Sequence, residues 1–190
     1  MLKKEVRKII FKKRKSYDNS FFNSLNDIFY NNFLSTNFLT SIQNTTIAGY
    51  YAFDNECNIF EILKYYSKNN HLVLPSIVEK NKSMIFKEWD CTIDKLEANK
   101  LFKKTKILEP IHDCKELKPN IVFVPAVAVD IYGNRVGYGA GYYDKTLCNI
   151  DCIKIATVYN FQVFNEEIEH DKNDVAVDYI LTESKFINII

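Results

Sequence analysis

The apolar positions of this chain recur with a helical period in some stretches and run together in others. Leu2, Val6, Ile9 and Ile10 fall at i, i+4, i+7 and i+8, one face of an N-terminal helix that can dock on a core. Phe21–Leu34 predicts a second helix, Thr46–Phe53 a strand and Asn58–Ser67 a third helix. His71–Leu74 reads as a strand closed by Pro75, and Ser83–Trp89 as a strand paired at an edge. Residues 90–119 are polar and irregular, with a short helix at Ile93–Asn99 and a turn at Ile107–Pro110. Asn120–Asp130 is a nearly continuous apolar run rich in β-branched residues, expected of a strand buried on both faces. Pro125 has no N–H to donate, which limits the regular ladder to Ile121–Val124. Tyr142–Cys148 predicts a short helix, Cys152–Tyr159 another strand and Asp178–Thr182 the last one. Strands alternating with helices predict an α/β fold, a three-layer sandwich around a mostly parallel open sheet. With no internal repeat and no Gly-, Pro- or Ser-rich linker, residues 1–190 are expected to form a single domain.

Composition narrows the class. Of the 190 residues 47% are hydrophobic and 14% aromatic, ample for a real core and against global disorder. No apolar run approaches the ~18 residues of a membrane span, and the basic Met1–Lys15 stretch does not read as a secretory signal. The five cysteines are odd in number and lack zinc-site spacing, so reduced thiols in a cytoplasmic protein are expected. Charge is unevenly spread. Residues 1–15 hold eight Lys/Arg against Glu5, a net +7, which leaves −6 for the rest of a chain whose total is +1. Basic arms of this kind can bind nucleic acid or simply face water. Here Lys3, Arg7 and Arg14 share one stripe of the helix, which can aim cations at a bound phosphate.

The candidate phosphate site is local. Four of the five glycines, Gly133, Gly137, Gly139 and Gly141, lie within nine residues of each other, in a loop that also carries Arg135 and ends at Asp144. Such a loop lets successive N–H groups converge on an anion. It matches neither the Walker A pattern nor Gly-x-Gly-x-x-Gly. Its context is strand, loop, helix, and open α/β sheets bind ligands at the carboxyl ends of their strands. A long surface turn without a ligand is the alternative reading.

Pro125, Asp130, Gly133, Arg135 and the run Gly-Tyr-Gly-Ala-Gly-Tyr-Tyr-Asp at 137–144 closely resemble the signature of the 5-formyltetrahydrofolate cyclo-ligase family. Weaker matches extend over nearly the whole chain: the Lys/Arg-rich first helix, Glu56 after the first strand, Leu74-Pro75 and Asp174-x-x-x-Asp178. Ala140, where members usually carry glycine or a basic residue, and Lys145, often arginine, depart from the pattern. The resemblance implies ATP-dependent cyclisation of a reduced folate, 5-formyltetrahydrofolate, with Mg²⁺ as cofactor and ATP as co-substrate. It implies catalytic roles for Arg135 and Tyr143. ATP contacts are implied at Lys3, Lys4, Glu5, Val6 and Arg7, and along Arg135, Val136, Gly137, Tyr138, Gly139, Ala140, Gly141, Tyr142 and Tyr143. Folate contacts are implied at Tyr51, Glu56, Tyr138 and Tyr142, and metal ligation at Asp144 and Asp174. A monomer binding neither nucleic acid nor membrane is expected.

From the residues alone, Glu56 reads better as an exposed loop acid beside core aromatics than as a ligand contact, Asp174 as a turn cap and Trp89 as a core residue or the border of a ring-binding pocket. His71, His112 and His170 have no partner at catalytic spacing. Two other functions remain open at this point. One is a non-catalytic module sensing a nucleotide or sugar phosphate with the same loop. The other is RNA binding through the basic helix, although no RNA-recognition motif accompanies it.

Overall fold

The computed structural model describes residues 1–101 and 107–189. Helix α1 (Lys3–Lys15) opens the chain, followed by α2 (Asn19–Ser35) and the one-turn α3 (Asn37–Thr40). Then come β1 (Thr46–Ala48), α4 (Phe60–Tyr66), β2 (His71–Ser76), β3 (Ile85–Glu88), β4 (Leu96–Ala98) and β5 (Leu108–Pro110). The second half runs β6 (Ile121–Pro125), β7 (Ala128–Asp130), β8 (Arg135–Val136), α5 (Tyr142–Leu147), β9 (Ile153–Thr157), β10 (Val163–Phe164), β11 (Tyr179–Leu181) and β12 (Phe186–Asn188).

Seven strands form the main sheet in the order β12-β11-β9-β6-β1-β2-β3. The five inner strands are parallel, while β3 and β12 pair antiparallel at the edges. Alternating side chains send Ile47, Leu72, Leu74, Ile121, Phe123, Ile155 and Leu181 to one face, under Phe22, Phe29 and Phe33 of α2, Leu39 of α3 and Ile62, Leu63 and Tyr66 of α4. The opposite face presents Ala48, Val73, Val122 and Val124 to Leu147 of α5. Helix layers on both sides of a mostly parallel sheet are the predicted architecture. Asp18 caps α2 by accepting a hydrogen bond from the Phe21 N–H at 2.9 Å.

The second sheet, β10-β7-β8, was not legible in the pattern. The single strand expected over Asn120–Asp130 divides in two: β6 joins the main sheet and β7 leaves it. Helix α1 lies on this small sheet, burying Val6 and Ile10 against Val127, Ala128, Val136 and Ile168. Leu2 and Ile9 stay exposed, at 52% and 46%, because the seat is narrower than the expected face and Arg14 occupies its third buried position.

Other boundaries differ for local reasons. The expected Thr46–Phe53 strand ends at Ala48, and the chain turns out of the sheet through Asp54 and Asn55, whose φ angles are 50° and 58°. Pro75 sits inside β2 rather than closing it, whereas Pro125 is the last residue of β6, one position past the expected end of the ladder. A proline loses a donor but keeps its acceptor, and β1 has stopped pairing with β2 at Val73, so Pro75 removes no bond from that side. The helix expected at Ile93–Asn99 is a single 3-10 turn, Ile93–Lys95, followed by β4. The expected Ile107–Pro110 turn contains β5, antiparallel to β4. Residues 102–106 of the stretch read as irregular lie outside the described residues. Asp178–Thr182 is not the last strand, since β12 follows.

Asp130 of the glycine-rich signature is structural. Fully buried, it accepts hydrogen bonds from the backbone N–H groups of Tyr132, Asn134 and Ile168 and from the Asn134 amide, at 2.7–2.9 Å. The turn it organises needs Gly133, where φ is +88° and an added Cβ would sit 2.6 Å from the Val177 carbonyl oxygen. Gly133→Ala is therefore expected to destabilise the fold by about 1–3 kcal/mol, read as a lower denaturation midpoint at constant m. An unchanged midpoint would show that the turn relaxes freely.

Candidate functional site

The chain runs from β1 to β2 on one side of the sheet and from β6 to β9 on the other, so strand order reverses between β1 and β6. Ligand clefts in open sheets form at such reversals, outside the carboxyl ends of the strands. A cavity of about 450 Å³ lies there, lined by Tyr50, Tyr51 and Phe53 after β1, Pro75 and Ile77 at the end of β2, and Pro125 at the end of β6. The glycine loop, 137–144, forms another wall, and Lys3, Arg7 and Asp174 close it.

One end of the cavity is cationic. The Arg7 Nε donates to the Gly137 carbonyl at 2.8 Å. Gly139 has φ +111°, and a Cβ there would lie 3.9 Å from the Arg7 guanidinium, so loop and helix meet closely. Arg135, with only 4% of its side chain exposed, donates to Asp144 Oδ1 at 2.6 Å, and its guanidinium lies 5.7 Å from the Tyr143 ring centroid. Arg135 Nε and the Tyr143 hydroxyl are buried with no hydrogen-bond partner among the described residues. Burial pushes the Tyr143 hydroxyl well above its usual range, so it stays protonated and remains a donor. Unpaired buried donors of this kind are costly unless something else accepts from them.

Two carboxylates face this end. Lys3 bonds Asp174, and the Val175 N–H donates to Asp144 Oδ1 at 3.3 Å, which ties the Asp174 loop to Asp144. Burial opposes ionisation of Asp174, but the Lys3 bond, the Asp171 N–H and the Arg135 charge outweigh it and hold the carboxyl below its ordinary value. The described residues contain no group of three His, Cys, Asp or Glu able to enclose a metal. Two neighbouring acids beside cations do fit Mg²⁺, which keeps several waters and takes the rest of its shell from substrate phosphates.

The other end is aromatic. Tyr51 and Phe53 line it, and the Tyr138 ring stacks on Phe53 with centroids 5.1 Å apart. Glu56, 6% exposed, accepts the Phe53 N–H through Oε2 at 3.2 Å. Desolvation raises its carboxyl to about 7, against the pull of that bond and of the Arg14 charge.

Of the residues singled out in the sequence, Lys3, Arg7, Tyr51, Glu56, Arg135, Gly137 through Asp144, and Asp174 meet around one cavity. Lys4 and Glu5 point to solvent, while Val6 and Val136 pack under α1, so these four side chains do not form its wall. Arg14 shares the stripe of Lys3 and Arg7 but turns inward to Tyr138 instead of facing the cavity. Trp89 is a core residue, its Nε1 donating to the Thr92 carbonyl at 3.0 Å. The sequence reading missed Ile77, Met84, Leu108 and Glu109 as cavity residues. Glu109 is anchored by Asn99 Nδ2 at 2.7 Å and the Ile77 N–H at 3.0 Å. Its place next to Pro110, in a segment read only as a turn, offered the one local signal.

The model of the 5-formyltetrahydrofolate cyclo-ligase family matches residues 3–183. A protein of that name from Mycolicibacterium smegmatis is 36% identical over 69 residues, 36% of either chain. Another from Escherichia coli K12 is 30% identical over 96 residues, 47% of this chain and 52% of the relative. The alignments thus span about half or less of these two relatives. The 5,10-methenyltetrahydrofolate synthetase of Aquifex aeolicus superimposes with a TM-score of 0.80 at 26% identity, covering 100% of this chain and 93% of that one. A synthetase of the same name from Mycoplasma pneumoniae gives a TM-score of 0.69 at 23% identity, over 94% and 97% of the two chains, a likeness of fold.

Proposed function

The chain belongs to the 5-formyltetrahydrofolate cyclo-ligase family, and on that premise we propose that it converts 5-formyltetrahydrofolate to 5,10-methenyltetrahydrofolate, using ATP with Mg²⁺ and releasing ADP and phosphate. The observation that carries this reading is the junction of two unlike walls in one cavity. A cationic end with Lys3, Arg7 and Arg135 suits a triphosphate, and an aromatic end with Tyr51, Phe53 and buried Glu56 suits a flat heterocycle bearing N–H groups.

The chemistry explains why both are needed. A formamide oxygen is a poor leaving group, so the γ-phosphoryl group must first pass from ATP to that oxygen, releasing ADP. The neighbouring N10 then attacks the formyl carbon, loses its proton and expels phosphate as the C–O bond breaks. The protein forms no covalent bond in this scheme; it aligns the γ-phosphate with the formyl oxygen and offsets charge on the transferring group. Lys3, Arg7 and the loop N–H groups hold the triphosphate, and Arg135 meets the equatorial oxygens as charge develops on them. The Tyr143 hydroxyl donates to a ligand oxygen, which satisfies the buried group. Tyr51, Tyr138 and Tyr142 border the pterin, and Glu56 accepts its amino and ring N–H groups. Asp144 and Asp174 would hold Mg²⁺, whose charge neutralises phosphate oxygens.

Mixing protein, Mg²⁺, ATP and 5-formyltetrahydrofolate and following methenyl absorbance tests the reading. Product only when ATP and folate are both present supports it; nucleotide binding without turnover points instead to the sensing module. The metal assignment has its own check. Asp144→Asn is expected to raise the Mg²⁺ concentration for half-maximal activity on the order of ten-fold or more, since even outer partners of metal ligands cost that much. An unchanged titration would leave Asp144 a structural role, through its bonds to Arg135 and the Val175 N–H.

A further inference from the structure

Arg14 is 4% exposed, yet no carboxylate among the described residues lies within ion-pair distance of it. Its Nη1 donates to the Asp54 carbonyl at 3.2 Å and to the Tyr138 hydroxyl at 2.8 Å, and Nη2 donates to the Ala126 carbonyl at 3.2 Å. Its Nε is buried without a partner among the described residues. An unpaired buried cation is costly, and an apolar side chain of similar size would serve packing better. What distinguishes Arg14 is the three segments it joins: the turn leading to Glu56, the glycine loop and the chain just past β6. Tyr138 completes the link, with its ring on Phe53 and 5.6 Å from Phe11.

Building on the folate and ATP reading of the cavity, we propose that Arg14 is a positioning residue: it clasps Tyr138 to the Asp54 turn, holding the folate wall and the phosphate loop in one register, and it places a fixed positive charge beside Glu56. The surroundings of Glu56 make that charge consequential. Its own segment contributes Asp54, which opposes its ionisation, with Tyr50 and Cys57; the glycine loop and α5 contribute Tyr138 and Tyr143, and the end of β9 contributes Tyr159, whose hydroxyl donates to the Glu56 carbonyl at 3.4 Å. Burial pushes the four phenols and the Cys57 thiol upward, so they are neutral near pH 7. Among the described residues Arg14 is the positive charge acting on Glu56, and it favours the carboxylate that accepts N–H bonds.

Charge and clasp separate experimentally in the full-length protein. Arg14→Met removes both, Arg14→Lys keeps the charge without the fork, and Tyr138→Phe removes only the hydroxyl. Folding is checked by circular dichroism, 5-formyltetrahydrofolate affinity is measured from pH 5.5 to 8.5, and kcat and KM are determined for each. Arg14→Met should move the pH midpoint of folate affinity upward by about one unit. Arg14→Lys and Tyr138→Phe should keep the midpoint while kcat falls roughly ten- to a hundred-fold, the scale of a misplaced reacting pair. A folded Arg14→Met with the wild-type midpoint overturns the charge role, and Arg14→Lys with Tyr138→Phe both at wild-type kcat overturn the clasp. If Arg14→Met does not fold, Arg14→Gln, neutral but polar, takes its place in the midpoint measurement, and the other two variants decide the clasp. A wild-type protein that binds no 5-formyltetrahydrofolate fails earlier, and the inference falls with the reading beneath it.

Discussion

Arg135→Ala should lower kcat by at least about a hundred-fold while the protein stays folded. Removing one preorganised donor from a developing oxyanion costs on the order of 10²–10³ in rate, and Arg135 brings several donors to a water-poor site. The bond it makes now, to Asp144 Oδ1 at 2.6 Å, orients the guanidinium and leaves its Nε without a partner among the described residues. A group held this way loses little reorganisation energy when phosphate arrives, so its value lies in the transition state more than in ground-state binding. Nucleotide affinity, supported by Lys3 and Arg7, should fall much less than kcat. The fold should survive because Asp144, 23% exposed at its side chain, can be rehydrated once its partner is gone and keeps the Val175 N–H. Arg135→Lys should rescue poorly, since an ammonium lacks the planar fork. A folded Arg135→Ala with kcat near wild type would remove Arg135 from the chemistry.

The inner parallel strands were readable because strands buried on both faces must be largely apolar, as Ile121–Val124 is throughout and Ile153–Thr157 is apart from Lys154 and Thr157. The second sheet and the last edge strand were not. β7, β8, β10 and β12 are two or three residues long, and pairing partners distant in sequence decide where such elements form. Leu2 and Ile9 fit the helical period, but the width of the small sheet sets how much of that face is covered. The site divides in the same way. The glycine loop with Arg135 and Asp144 is local, so its spacing could be read directly. Glu56 was distinguished only by the resemblance, because an acid in a loop shows its burial only when α1, Tyr138 and Tyr143 close over it. Arg14 was read on the correct stripe and given the wrong direction: a helical wheel cannot say that Ala126 and Asp54 would offer their carbonyls to it.

Glu56→Gln should change binding and stability in opposite directions, which separates a functional carboxylate from a structural one. Glutamine keeps the size and can accept the Phe53 N–H as Oε2 does now, but it turns one acceptor into a donor. With the pterin bound, a donor then faces a donor, an unsatisfied pairing of about 1–3 kcal/mol. Folate affinity should therefore fall roughly ten- to a hundred-fold, with ATP affinity measured without folate nearly constant. Stability follows from the raised carboxyl. Burial takes Glu56 from 4.5 to about 7 in the folded protein, so its contribution is complete below about pH 4.5 and is lost as pH rises through 7. Glutamine never ionises and never incurs that loss. Without ligand, wild type and Glu56→Gln should have similar melting temperatures near pH 4.5, and the variant should be the more stable at pH 8, by at most about 3 kcal/mol. A variant that loses stability at both pH values, and affinity for both ligands, would mean that Glu56 holds the turn rather than the folate. Unchanged folate affinity beside the stability gain would place Glu56 outside the pocket and shift the function toward a nucleotide-binding module.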